Sequence, residues 1–214
     1  MKFAKSFLLS LSLVLVAPSE AAQQLVLNYD GFFDRLEDLD EPEYSKVTLG
    51  FYFKEIGSNE PCKMTSVKLK SQSESKDVYF YPSGEVLLPF DEQLDMDKAK
   101  LIISHETSHD CGLDMRLESK ALLSKTIKSQ EAEELLLTFD AALDELAGMM
   151  SFLLPDVAGV TFLASEGQKL TLDNPHGIEC DELGCTVLKS ELEGLNDTLR
   201  FNVVPKKAVP FIKK

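Results

Sequence analysis

His105-Glu106-Thr107-Ser108-His109-Asp110-Cys111-Gly112 runs straight into Leu113-Asp114-Met115-Arg116-Leu117-Glu118, and the reading of this stretch decides the fold. Its first half spells H-E-x-x-H with a glycine three places after the second histidine. Such a motif makes metal chemistry on a helix, where residues four apart share a face and two imidazoles converge on one ion. Its second half alternates Leu113, Met115 and Leu117 against Asp114, Arg116 and Glu118, the period of a strand. Upstream, Ala99, Leu101, Ile102 and Ile103 fit either element. If the strand period governs, the histidines sit in a polar hairpin connection between two strands and share no helical face.

Working outward, Lys46–Lys54 (KVTLGFYFK) alternates Val47, Leu49, Phe51 and Phe53 against Thr48, Gly50, Tyr52 and Lys54, the clearest strand in the chain. Leu25, Leu27 and Tyr29 alternate likewise. Asp30 is placed to cap a short helix reaching about Leu39, and Pro42 to end it. Lys63–Lys70 reads as a strand. Asp77–Tyr81 and Glu85–Pro89, around Pro82-Ser83-Gly84, read as a hairpin.

The character changes near Ser129. Leu135, Leu136, Phe139, Leu143, Leu146, Met149, Met150 and Leu153 recur at three- and four-residue spacing, predicting one amphipathic helix of about 25 residues. Ser129 is its expected cap and Pro155 its expected stop. Val160–Ala164, Gln168–Leu172, Thr186–Lys189 and Thr198–Val204 then read as strands, and Pro205 and Pro210 mark a terminal segment along an edge. The expected class is α+β, a mostly antiparallel sheet or sandwich with one long packed amphipathic helix. Residues 22–120 form a β-rich part, and residues 121–214 hold the helix and a C-terminal β part packed into one unit with it.

The first 21 residues read as a cleavable signal peptide. Lys2 and Lys5 precede an apolar run from Phe7 to Val16, and Ser19, Ala21 and Ala22 offer the small residues of a cleavage site. Ten apolar residues reach about 15 Å as a helix, half of a roughly 30 Å bilayer core, so the run does not span. No transmembrane segment is expected after cleavage, and the expected location is the periplasm. The formal net charge is −14. No basic stripe stands against it, which excludes nucleic acid as a partner.

Four cysteines in an exported chain read as two disulfides. Cys180 and Cys185 flank a turn-like tetrapeptide, which leaves Cys62 for Cys111. A zinc site from Cys180, Cys185 and His176 is the rival, but C-x4-C is wider than the usual C-x2-C. His176 itself lies in an Asn-Pro-His-Gly turn. The chain has no G-x-S-x-G, Walker A or G-x-G-x-x-G. Tyr44, Tyr52, Tyr79 and Phe80 read as strand aromatics, with a binding face as the alternative.

Two resemblances follow. The H-E-x-x-H stretch resembles zinc metallopeptidases, which implies His105 and His109 as zinc ligands and Glu106 as the base. The place of a metzincin's third histidine holds Met115, and Glu131, Glu133 or Glu134 would have to supply a ligand instead. Leu25–Leu36 (LVLNYDGFFDRL), Gly84–Asp91 (GEVLLPFD) and Cys111–Lys120 (CGLDMRLESK) resemble exported Gram-negative proteins of a family of unknown function, which implies no catalytic residue. The function expected first is therefore non-enzymatic, binding a protein or small-molecule partner or serving the envelope, with no cofactor. The alternatives are a small zinc-dependent metallopeptidase and a small-molecule carrier with a pocket between helix and sheet.

Overall fold

A computed structural model of the chain describes residues 23–106, 109–173, 177–194 and 198–213. Residues 1–22, where the signal peptide is expected, His176 and the Thr107-Ser108 pair lie outside them. In order, the elements are β1 (Gln23–Asn28), α1 (Asp30–Glu37), β2 (Val47–Glu55), β3 (Met64–Lys70), β4 (Ser75–Asp77), β5 (Glu85–Val86), α2 (Glu92–Met96), β6 (Lys100–His105) and β7 (Cys111–Ser119). Then follow β8 (Thr126–Lys128), α3 (Ser129–Ala147), β9 (Val157–Leu163), β10 (Glu179–Cys180), β11 (Gly184–Leu188), α4 (Lys189–Gly194), β12 (Thr198–Arg200) and β13 (Lys207–Ile212). All described strand pairings are antiparallel, and the class is α+β.

The N-terminal part is a sandwich. One sheet runs β1-β6-β3-β4 and the other β5-β2-β7. Phe51 and Phe53 of β2 meet Val67 and Leu69 of β3 and Leu101 and Ile103 of β6 in one buried cluster. Helix α1 adds Phe32 and Phe33, and the Phe32 ring stands edge-on to Phe51 at 5.1 Å. Asp30 is the first residue of α1 and Tyr29 its cap, so the expected Asp30 cap is corrected by one position. Pro42 opens a short 3-10 turn, as its fixed φ allows at a helix start.

The second buried cluster lies against α3. Ala132, Leu135, Leu136, Phe139 and Ala142 form its inner stripe and pack on Val160 and Phe162 of β9 and on Val187 of β11. These strands belong to a further sheet, ordered β10-β11-β9-β13. Asp140 Oδ1 accepts the Val157 N–H at 3.0 Å and so fixes where β9 starts on the helix. The Arg35 guanidinium of α1 donates to the Leu146 carbonyl at 2.9 Å, satisfying a C-terminal orphan of α3.

The helix is shorter than its apolar spacing predicts. It covers 19 residues and ends at Ala147, because Gly148 takes φ 54°, a backbone state that glycine adopts without strain. Met149, Met150 and Leu153 therefore leave the helical face, and they are exposed rather than core. Lys128 is the cap residue, and Glu131 Oε2 reaches back to its N–H at 3.4 Å. Gln168–Leu172 contributes only an isolated bridge, Leu172 to Phe201. Pro210 sits within β13, at the edge of its sheet, where a missing N–H is tolerated.

Candidate functional site

The focal stretch begins on one strand and ends on another. His105 closes β6, buried, opposite Gln23 of β1 and Met64 of β3. Cys111 opens β7. The expected hairpin is corrected in one respect: β6 and β7 do not pair but belong to opposite sheets of the sandwich. The connection is a crossover, which is why it is tied at both ends. Glu106 N–H donates to the Lys63 carbonyl at 3.1 Å, and the Asp110 carbonyl accepts from Ile56 N–H at 2.9 Å. Its far end is locked by the Cys62–Cys111 disulfide. His109 is mostly exposed, with Nδ1 3.5 Å from Glu55 Oε2. His105 and His109 thus stand on a buried strand end and an exposed loop, not on one helical face. Among the described residues, no group of three or more His, Cys, Asp or Glu is placed to hold a metal ion.

Cys180 and Cys185 face each other across the β10–β11 pair and are bridged. Asp181 Oδ1 accepts the N–H groups of Leu183 and Gly184, at 2.8 and 3.0 Å, which shapes the turn between them. A cleft of about 670 Å³ opens against this hairpin and β13, lined by Thr186, Leu188 and Phe211. It lies on the strands and not between α3 and its sheet, where a carrier's pocket was expected.

The chemistry concentrates elsewhere. Antiparallel pairing puts Tyr52, Asp114, Arg116, Glu118 and Glu85 on the same face of the β5-β2-β7 sheet. Lys207, the first residue of β13, is laid across that face. Its Nζ donates to Glu85 Oε1 at 2.6 Å, to Tyr52 Oη at 3.2 Å and to Glu118 Oε1. Tyr52 in turn donates to Glu118 Oε2 at 2.9 Å. Glu85, Glu118 and Tyr52 are all buried. The Arg116 guanidinium lies 4.8 Å from the centroid of the Tyr52 ring and donates to Asp114 Oδ2 at 2.9 and 2.7 Å. Next to this cluster, Ala208 N–H donates to Ser119 Oγ at 2.9 Å. The cluster therefore joins β13, part of the α3-facing core, to the sandwich.

The titration of these groups tells what they can do. Burial opposes the charge on Lys207, but the hydrogen bonds it donates to Glu118 and Glu85 outweigh it and raise the pKa above the usual 10.5. Burial, with the Glu118 charge, pushes Tyr52 up to about 12 against the opposing pull of Lys207. Burial works to raise Asp114, yet hydrogen bonds from Arg116 and Lys54 hold it below the usual carboxylate value. The arrangement is suited to fixing strands and presenting charge.

Gly50 makes room for it. A Cβ there would lie 2.8 Å from the Glu118 carboxylate and 2.8 Å from the Tyr52 ring. Gly50→Ala is expected to lower stability by about 1–3 kcal/mol through overpacking, read as a lower urea midpoint at unchanged slope. Sequence reading placed Tyr52 and Glu118 on strands but not Lys207 with them. The lysine is 89 residues from Glu118 and 122 from Glu85, and no local spacing signals such a pairing.

Fold and site together define an α+β module with two disulfides and a buried ionic joint. The chain belongs to the family described as a protein of unknown function, DUF2987, whose model matches residues 21–163. The match takes in Tyr52, Glu85 and Glu118 and ends before Lys207. No curated protein and no solved structure matches the chain.

Proposed function

We propose that the chain is exported and works in the periplasm as a non-enzymatic binding or envelope-associated protein. The observation that carries this reading is that all four cysteines are paired, Cys62 with Cys111 and Cys180 with Cys185. Such bridges persist in oxidising compartments and are rare in the cytosol. The charge and apolar pattern of residues 1–21, a secretory leader by sequence, supports the same route. Among the described residues, no helix is long and apolar enough to cross a membrane.

A reporter fusion tests the route. Residues 1–22 are joined to an enzyme that is active only after forming its own disulfides outside the cytoplasm. The expected result is activity with the leader and none without it. Equal activity with and without the leader, or none with it, would overturn the reading.

A further inference from the structure

Strand β7 ends its sheet, ordered β5-β2-β7. Among the described residues, no strand pairs with its outer side between Leu113 and Leu117. The described hydrogen bonds from β13 reach it at Glu118 and Ser119, past that segment. Two apolar side chains stand open here, Leu113 at 39% and Met115 at 49% exposure. Their partners across the pair, Phe53 and Phe51, are buried. An exposed edge with apolar side chains is a template for another strand.

The segment is complementary to itself. Turned antiparallel on a second copy about Met115, it sets Asp114 opposite Arg116 and Arg116 opposite Asp114 on one face. On the other face, Leu113 meets Leu117 and Met115 meets Met115. A two-fold centred on Asp114 or Arg116 instead sets like charges opposite each other. A centre between two residues sets apolar against charged side chains. Of the registers centred on Asp114, Met115 or Arg116, only the Met115 register satisfies both faces, and a centre on Leu117 would draw in Glu118 and Ser119, which β13 already holds. Asp114 and Arg116 already pair within the chain, so the same charges can exchange partners across the axis.

We propose that the chain forms a two-fold dimer by antiparallel pairing of β7 with β7 of a second copy, which joins the two β5-β2-β7 sheets into one. The interface is isologous and closes on itself, so it uses up the edge and does not propagate.

Sedimentation equilibrium on the purified, oxidised chain tests this, with circular dichroism to verify folding of each variant. The wild type is expected to dimerise reversibly, and less so as salt rises. Asp114→Arg sets arginines opposite each other and Arg116→Asp sets aspartates opposite each other. Each is expected to be monomeric where the wild type is dimeric, and an equimolar mixture of the two is expected to restore the dimer. Met115→Lys, at an already exposed position, is expected to stay folded and monomeric. A wild type that stays monomeric up to about 1 mM, single variants that dimerise like the wild type, or a mixture that stays monomeric would each overturn the proposal.

Discussion

Lys207→Met is expected to destabilise the protein by about 3–5 kcal/mol, because it leaves two buried carboxylates without their cation. The side chains of Glu85 and Glu118 are 7% and 5% exposed, and that of Lys207 is 19% exposed, so solvent cannot take over the lysine's role. Urea unfolding checks this. A triple variant that also carries Glu85→Gln and Glu118→Gln is expected to recover most of the loss, because a missing charge costs more than a missing ion pair. If the triple variant is as unstable as the single one, the loss lies in packing of the lysine stem and not in charge. The same groups set the alkaline limit. Lys207 and Tyr52 are both raised on folding, so the folded chain holds their protons more tightly than the unfolded one. Their contribution to stability is full below about pH 10 and is lost as pH rises through the folded values. Tyr52→Phe is expected to make the decline between about pH 10 and 12 shallower.

Replacing Cys62 and Cys111 together by serine is expected to cost about 4 kcal/mol, on the chain-entropy estimate for a 49-residue separation. The matching change at Cys180 and Cys185, separated by 5, is expected to cost about 2 kcal/mol. The larger bridge also does more in the fold. Cys62 is hydrogen-bonded to Phe53 of β2 and leads into β3, while Cys111 begins β7, the neighbour of β2, so the link fixes the entry to β3 against the β5-β2-β7 sheet. Thermal melts of the two double variants, compared under oxidising conditions, give the order. Equal melting temperatures would show that loop length does not set the cost.

Local pattern carried the strands well. The alternation in Val47–Phe53 and in Leu113–Glu118 is visible as β2 and β7, paired along their whole length. It also decides the H-E-x-x-H stretch, since a strand beginning at Cys111 leaves no helix to bring His105 and His109 together. The end of α3 was hidden because apolar spacing continues through Met149, Met150 and Leu153, while one glycine at positive φ turns the chain away. The terminal segment marked by Pro205 and Pro210 was read along an edge, and β13, which contains Pro210, is the edge strand of its sheet. The crossover from β6 to β7 and the Lys207 joint were illegible for a shared reason. Which sheet a strand enters, and which distant carboxylates a lysine meets, depend on packing between parts far apart in sequence.

Export into an oxidising compartment is tested most directly by the mass of the chain recovered from the periplasm of a Gram-negative host, alkylated without reductant. The mass expected lacks residues 1–21 or 1–22 and carries no adduct on Cys62, Cys111, Cys180 or Cys185. An intact leader, or adducts on these cysteines, would contradict it.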